Sequence, residues 1–158
     1  MQALVSLRPV EADDLPIFFA HQLDPEATRL AAFPPRDREA FLTHWTTKII
    51  GNPASTNRTI LFDGRVAGYI GLWTDAATHE RLVCYWLGRE FWGRGIASAA
   101  VSQVLRSEST RPLIARVVKH NAGSIRVLEK AGFTRAGEDA FTLPDGTPSE
   151  EFIYVLSA

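Results

Sequence analysis

Cysteine is nearly absent from this chain: Cys84 stands alone among 158 residues. A single thiol closes no intrachain disulfide and builds no cysteine-based zinc site, and it fits a reducing cytoplasm. No histidine signature stands near Cys84, so it reads as a buried strand residue and not as a nucleophile. The four histidines show no His-x-x-x-His spacing, and no metal is implied. An excess of one charge is missing too. Seventeen Lys and Arg against 18 Asp and Glu leave a net charge of −1. That balance supplies no field to draw in nucleic acid or an anionic membrane, so any phosphate must be held by a local arrangement. No apolar run approaches the roughly 18 residues of a membrane span. The opening Met1-Gln2-Ala3-Leu4-Val5-Ser6-Leu7-Arg8 lacks the basic-then-apolar order of a signal peptide. The expectation is a cytoplasmic monomer or homodimer with no nucleic-acid or membrane partner.

What is present suits a globular protein, with 46% hydrophobic and 22% charged residues. The length suits one domain, residues 1–158, able to bury a real core. Leu4 to Val10 alternates like a strand. Asp13-Asp14 start a helix with Leu15, Ile17, Phe18 and Phe19 on its apolar face. Pro25 and Pro34-Pro35 punctuate a short helix containing Ala27 to Ala32, and a longer one runs from about Asp37 to Ile49. Asp63-Gly64 joins two strands, Arg58–Phe62 and Val66–Trp73, as a hairpin. A strand at Leu82–Gly88 empties into a glycine-bearing turn and then a helix with Ile96, Ala97, Ala100, Val101, Val104 and Leu105 on one stripe. Leu113–Val118 reads as a buried strand, Asn121 to Gly132 as a capped helix, and Phe133–Leu143 with Glu151–Leu156 as a closing pair around Pro144-Asp145-Gly146. Trp45, Trp73 and Tyr154 are expected in the core or lining a cleft.

The turn Phe91-Trp92-Gly93-Arg94-Gly95-Ile96-Ala97-Ser98 carries the first chemistry. The leading N–H groups of the following helix lack intrahelical partners and sit at the positive end of its dipole, while the glycines admit a phosphate close to the main chain. It is not a P-loop, which needs Gly-Lys-Ser/Thr where this chain has Gly-Ile-Ala. It is a poor Rossmann turn, since Ser98 replaces the third glycine and the next strand carries Arg116 and Lys119 where an acid is wanted. The second segment, Asn121 to Phe133, has a self-capping Asn121 and a serine, Ser124, one turn into its helix.

Together the two segments resemble the GNAT superfamily of N-acetyltransferases. Trp92-Gly93-Arg94-Gly95-Ile96-Ala97 matches its acetyl-CoA loop, and Asn121-x-x-Ser124 with Leu128-Glu129-Lys130-x-Gly132-Phe133 matches its downstream helix. Tyr85-Trp86-Leu87 before the loop is similar to the RimJ/RimL-type branch. The resemblance implies an α/β (α+β) fold: a single GNAT-like domain with a mixed, mostly antiparallel sheet of about six to seven strands flanked by about four helices. It implies acetyl-CoA as cosubstrate, held by Trp86, Leu87, Gly88, Gly93, Arg94, Gly95, Ile96, Ala97, Ser98, Asn121, Ser124 and Lys130, with Arg89 a further phosphate partner. The strand Tyr85–Leu87 would part from its neighbour and offer main-chain groups. Three positions depart from the pattern: Trp92 for Gln or Arg, Ala99 for Glu, and Leu128 where many members place a tyrosine that protonates the departing thiolate.

The chemistry expected is transfer of an acetyl group to a primary amine, either a protein or peptide N-terminus or a small molecule, by direct attack in a ternary complex. Ser124 becomes the candidate acid. A protonated amine needs a base, for which Glu80 stands first among His79, Glu138, Asp139, Glu150 and Glu151. Two other readings remain: an acyl-CoA-binding or sensing module without activity, motivated by the missing tyrosine, and an enzyme binding another nucleotide at the glycine turn.

Overall fold

The structure, a computed structural model, describes residues 4–32 and 35–157. Pro34, expected to punctuate a helix, and Met1 to Ala3 of the opening stretch lie outside them. The chain starts with β1 (Val5–Pro9) and passes through a 3-10 turn at Ala12–Asp14 into α1 (Leu15–Gln22). α2 (Pro25–Ala31) and α3 (Arg38–His44) follow. Then come β2 (Ser55–Phe62), β3 (Arg65–Thr74), β4 (Arg81–Leu87), α4 (Ile96–Ser107) and β5 (Leu113–Val118). α5 (Ala122–Lys130), β6 (Thr134–Thr142) and β7 (Pro148–Leu156) complete it. Among the described residues no helix is long and apolar enough to cross a membrane.

Local chemistry explains the helix ends. The Asp24 carboxylate accepts from the N–H groups of Glu26 and Ala27, with Pro25 in the first turn, and Asp37 accepts from Ala40 N–H at 2.7 Å. The helix expected through Ile49 changes character after His44. Trp45–Ile49 winds as a π-helix, and the hydroxyls of Thr46 and Thr47 bond back to the carbonyls of Leu42 and Thr43. Back-bonding threonines compete for carbonyls that the α-helix would use, which favours a widened turn.

The seven strands make one sheet in the order β1-β2-β3-β4-β5-β7-β6. Neighbours run antiparallel except β4 and β5, which are parallel and joined through α4. β4 and β5 pair only at Arg81↔Leu113 and Leu82↔Ile114 and then part. Five helices flank the sheet, the five that the pattern along the chain predicts and one more than the about four that the resemblance implies.

Alternate residues of β3 serve two cores. Ile70 joins Ile60, Leu113 and Tyr154 against Ile96, Ala100, Val101 and Val104 of α4. Tyr69 packs on the opposite face with Leu15, Phe18, Phe41 and Trp45. Trp45 and Tyr154 are core residues as expected, but Trp73 is 37% exposed and stands outside both cores and the two cavities described below. Ile17, expected on the apolar face of α1, is exposed.

A buried charge fastens β1, the turn before α1 and β2. Asp14 is only 2% exposed; it accepts two bonds from the Arg8 guanidinium (2.7 and 2.8 Å), one from Glu11 N–H and one from the Thr59 hydroxyl at 2.6 Å. Burial alone would raise the Asp14 carboxyl, but the bonds from Arg8, Glu11 and Thr59 outweigh it and bring the pKa from the ordinary 3.8 to about 2. A lowered pKa favours the folded state above the unfolded value, and that stability is lost as pH falls through the folded one. We therefore expect about 2 kcal/mol of stability to disappear between roughly pH 4 and pH 2. Asp14→Ala, leaving the half-buried Arg8 with only its looser pair to Glu11 at 3.7 Å, should cost about 3 kcal/mol at pH 7, read from urea unfolding.

Candidate active site

The parting of β4 from β5 ends their shared ladder before Tyr85–Leu87, and two helix beginnings face the gap. On the first side stands the glycine turn. Gly93 and Gly95 have φ of 73° and 76°, a region that favours glycine, and no atom lies within 4 Å of where a Cβ would stand on either. Gly95 is the N-cap of α4 and has no side chain to cap it. The first intrahelical bond is from Ala99 N–H to Gly95 O, so the N–H groups of Ile96, Ala97 and Ser98 precede the ladder. This is a positive helix end with open approach. Trp92 closes the turn onto the strand: its indole N–H donates to Leu87 O at 3.1 Å.

On the second side the Asn121 side chain caps α5, accepting from Ser124 N–H at 3.3 Å. The Ser124 hydroxyl lies 2.6 Å from the hydroxyl of Tyr85, which reaches across from β4. Burial pushes the Tyr85 phenol up to about 12, against a smaller lowering by the bond to Ser124.

Between these groups lies a cleft of about 420 Å³. Trp86, Leu87, Gly93, Ala97, Asn121 and Ser124, all expected at the cofactor site, line it. Tyr85, Trp92, His120 and Arg126 line it as well, and Ala27, Leu30 and Ala31 of α2 form a third wall. α2 and His120 come from outside both motifs, and no spacing rule connects them to the turn. Arg126 stands within the second motif, on the face one turn beyond Ala122.

The other expected residues fall elsewhere. Ile96 is buried in the main core, so only its N–H serves the helix end. Gly88 packs on α1: a Cβ there would come within 2.5 Å of His21 Nε2. Arg94 is exposed, its guanidinium 5.7 Å from the Phe62 ring, and Arg89 pairs with Asp24 at 3.5 Å. Lys130 is exposed at the far end of α5, roughly 12 Å along the axis from Ala122. Leu128, at the family's tyrosine position, is buried in the core. Glu80 precedes β4 at the end where β4 and β5 stay paired, roughly 20 Å of extended chain from Trp86. His79 lies beside it, while Glu138 and Glu150 pair with Lys119, and Asp139 and Glu151 with Arg116. The Cys84 thiol is pushed up to about 12 by burial, far from a reactive thiolate. Among the described residues no three His, Cys, Asp or Glu side chains group to hold a metal ion.

A second cavity, of about 980 Å³, lies between the other flank of α2, the β5–α5 junction and the β6–β7 turn, with Arg29, Lys119, Asp145 and Glu150 on its wall. His120 lines both spaces.

The family profile described as the acetyltransferase (GNAT) domain matches residues 5–134. The chain belongs to the GNAT acetyltransferase family. Three solved structures are similar. An acetyltransferase-assigned protein from T. thermophilus is 30% identical (97% of this chain, 85% of that one, TM-score 0.76). The spermidine N-acetyltransferase from Vibrio cholerae, in complex with CoA and spermine, is 17% identical (97% and 95%, TM-score 0.80). The microcin C7 self-immunity acetyltransferase MccE, in complex with acetyl-CoA and AMP, is 18% identical (98% and 92%, TM-score 0.78). The last two show the shared fold. No curated protein matches the chain.

The lip of the cleft rests on a close approach. A Cβ on Gly68 of β3 would stand 1.9 Å from Trp86 O and 2.9 Å from Leu87 Cα, both backbone. Gly68→Ala should displace the Tyr85–Leu87 segment, at a cost of about 2 kcal/mol in urea unfolding. Coenzyme A affinity, measured by calorimetry under folded conditions, should fall with it.

Proposed function

We propose that the protein transfers the acetyl group of acetyl-CoA to a primary amine by direct attack in a ternary complex, as an intracellular N-acetyltransferase of RimJ/RimL-like type. The observation that carries this reading is the cleft at the parted strands, with an uncapped, glycine-flanked helix end on one side and the Tyr85–Ser124 hydroxyl pair on the other. The residues suit the coenzyme. The N–H groups of Ile96, Ala97 and Ser98 with Gly93 and Gly95 receive a pyrophosphate, and Arg126 adds charge. Trp86 and Leu87 offer apolar surface and main chain to the pantetheine arm. Bound acetyl-CoA supplies an acetyl thioester, an acyl group on a leaving thiolate.

The protein's contribution is placement and polarity. A main-chain N–H of the Tyr85–Leu87 segment polarises the thioester carbonyl. The hydroxyl pair faces the sulfur. A thiolate whose thiol has an ordinary pKa of about 8.5 does not take a proton outright from the Tyr85 phenol, which burial pushes up to about 12. Tyr85 therefore donates to the Ser124 oxygen and turns the Ser124 O–H toward the sulfur, stabilising its charge by a hydrogen bond, and solvent supplies the proton. This hydroxyl pair does the work that the missing tyrosine at Leu128 left open, which weighs against the binding-only reading. The second cavity admits the amine, either a small molecule such as a polyamine or a peptide N-terminus.

Acetyl-CoA at about 100 times its Kd should stabilise the protein by about 2.7 kcal/mol, seen as a rise in Tm, and thiol release should appear with one or more amines of a panel spanning polyamines, amino acids and peptides. No thermal shift at saturation would overturn the reading. Ser124→Ala and Tyr85→Phe should each lower kcat by about 10-fold or more, the scale of one lost hydrogen bond, with acetyl-CoA affinity unchanged. Collapse of affinity in Ser124→Ala would make that residue a cofactor contact instead.

A further inference from the structure

An alkylamine is mostly an ammonium at neutral pH and cannot attack until a proton is removed. Glu80 stands at the wrong end of β4, and the acids of β6 and β7 are held in pairs with Lys119 and Arg116. One titratable side chain outside both motifs lines the coenzyme cleft and the second cavity alike: His120, in the turn between β5 and α5.

We infer that His120 takes the proton from the incoming amine, resting this on the acetyl-transfer reading. Its orientation is fixed by one contact. His120 Nε2 lies 2.8 Å from the carbonyl oxygen of Arg29 in α2. A carbonyl only accepts, so Nε2 carries the hydrogen, and the neutral ring keeps its lone pair on Nδ1. That is the arrangement of an oriented imidazole base: one nitrogen tied to a main-chain acceptor, the other left to receive a proton. The charged groups around it come from four elements. On α2, Arg29 pairs with Glu26; beside the ring, Lys119 bridges Glu138 of β6 and Glu150 of β7, each at 2.9 Å. In the β6–β7 turn the Asp145 carboxylate accepts from Thr147 N–H at 2.9 Å; from α5, Asn121 is a neutral cap and Arg126 lines the coenzyme cleft.

The proton and electron account closes. Nδ1 removes one proton from the ammonium, directly or through a water. The freed nitrogen lone pair forms the C–N bond, the C–S bond breaks with its electron pair on sulfur, and the nitrogen loses its second proton to solvent. Solvent protonates the thiolate, and the imidazolium returns its proton to solvent. Ammonium and thioester become amide, thiol and one released proton.

The alternative is that His120 only clasps α2 to the β5–α5 turn. His120→Gln separates the two, because a glutamine amide can still donate to Arg29 O but cannot take a proton. Thiol release would be followed with spermidine, glycine amide and a serine-initiated peptide, and with methoxyamine, whose nitrogen is already neutral at pH 7. For the alkylamines, His120→Gln and His120→Ala should both lower kcat/KM by about 100-fold or more, with acetyl-CoA affinity unchanged. Methoxyamine should lose much less, and the acidic limb of the wild-type pH profile should vanish in both variants. Wild-type turnover in His120→Gln, with loss in His120→Ala, would overturn the inference and leave the clasp. A second measurement needs no acceptor. In the acetyl-CoA complex of the ¹⁵N-labelled protein, the neutral His120 ring should be the Nε2-protonated tautomer, leaving Nδ1 as the acceptor. A neutral ring protonated on Nδ1 instead would overturn the inference as well. Failure of the wild type to bind acetyl-CoA is a separate result, and it would sink the acetyl-transfer reading itself.

Discussion

Two residue pairs hold β4 to β5, and the site exists because the pairing stops there. A strand that leaves its neighbour exposes main-chain groups that need partners, and a fold tolerates this only where water or a ligand supplies them. The seam opens between two firmly registered halves: β4 pairs with β3 at seven positions, and β5 with β7 at six. Because the crossover through α4 makes this the sheet's parallel contact, the N-terminus of α4 comes to the C-terminal end of β4. In α/β sheets that is where ligands bind. The opening, the positive helix end and the glycines that let a ligand approach are thus one construction, and Gly68 pressed under Trp86 O holds its lip.

Charge plays a small part at the reacting end of the cleft and a large part away from it. Asp14 is fixed by Arg8 and Thr59 across the sheet from the seam, and Arg81 pairs with Glu108 at 2.8 Å where β4 begins. Facing the gap, by contrast, are Tyr85 and Ser124, neutral hydroxyls in a partly buried place. That suits a leaving group that is itself a modest base. A carboxylate there would repel the thiolate, and a phenol near 12 keeps its hydrogen while still donating it in a bond.

Much of this was legible in the chain, for identifiable reasons. Glycine turn, helix stripe and cap are local, so Gly93, Gly95, Ala97 and Asn121 could be placed from spacing alone, and the β5 strand falls on Leu113–Val118 as read. Leu128 at the tyrosine position was visible too, and so was Ser124 as the candidate in its place, but Tyr85 as the partner of Ser124 was not. Tyr85 and Ser124 stand 39 residues apart and meet only because the seam opens between them. The short helix after Pro25 was legible as a helix, but its place on the cleft wall, like that of His120, was not, because both are set by tertiary contact. Trp73 misled because a tryptophan on a strand suggests the core, whereas its position near the strand end leaves it in solvent. Glu80 misled because closeness in sequence to the parted strand is not closeness to its parted end.

The pair of cavities also bears on the order of chemical events. A ping-pong enzyme needs a nucleophile in the coenzyme cleft to hold the acetyl group after the thiol has gone, and one cavity used twice would suffice. The groups on hand serve this badly. Cys84 has its thiol near 12 and does not line the cleft, and the Ser124 hydroxyl is engaged with a phenol at a similar value, not with a base. Direct transfer needs instead two spaces that can be filled together and that touch at one point. The coenzyme cleft and the larger cavity share α2 as a wall, and His120 stands on both, tied to that wall through Arg29 O. On the direct-transfer proposal, thioester and amine would be held at once with nothing covalent between them, and His120, the proposed proton acceptor, lines both spaces.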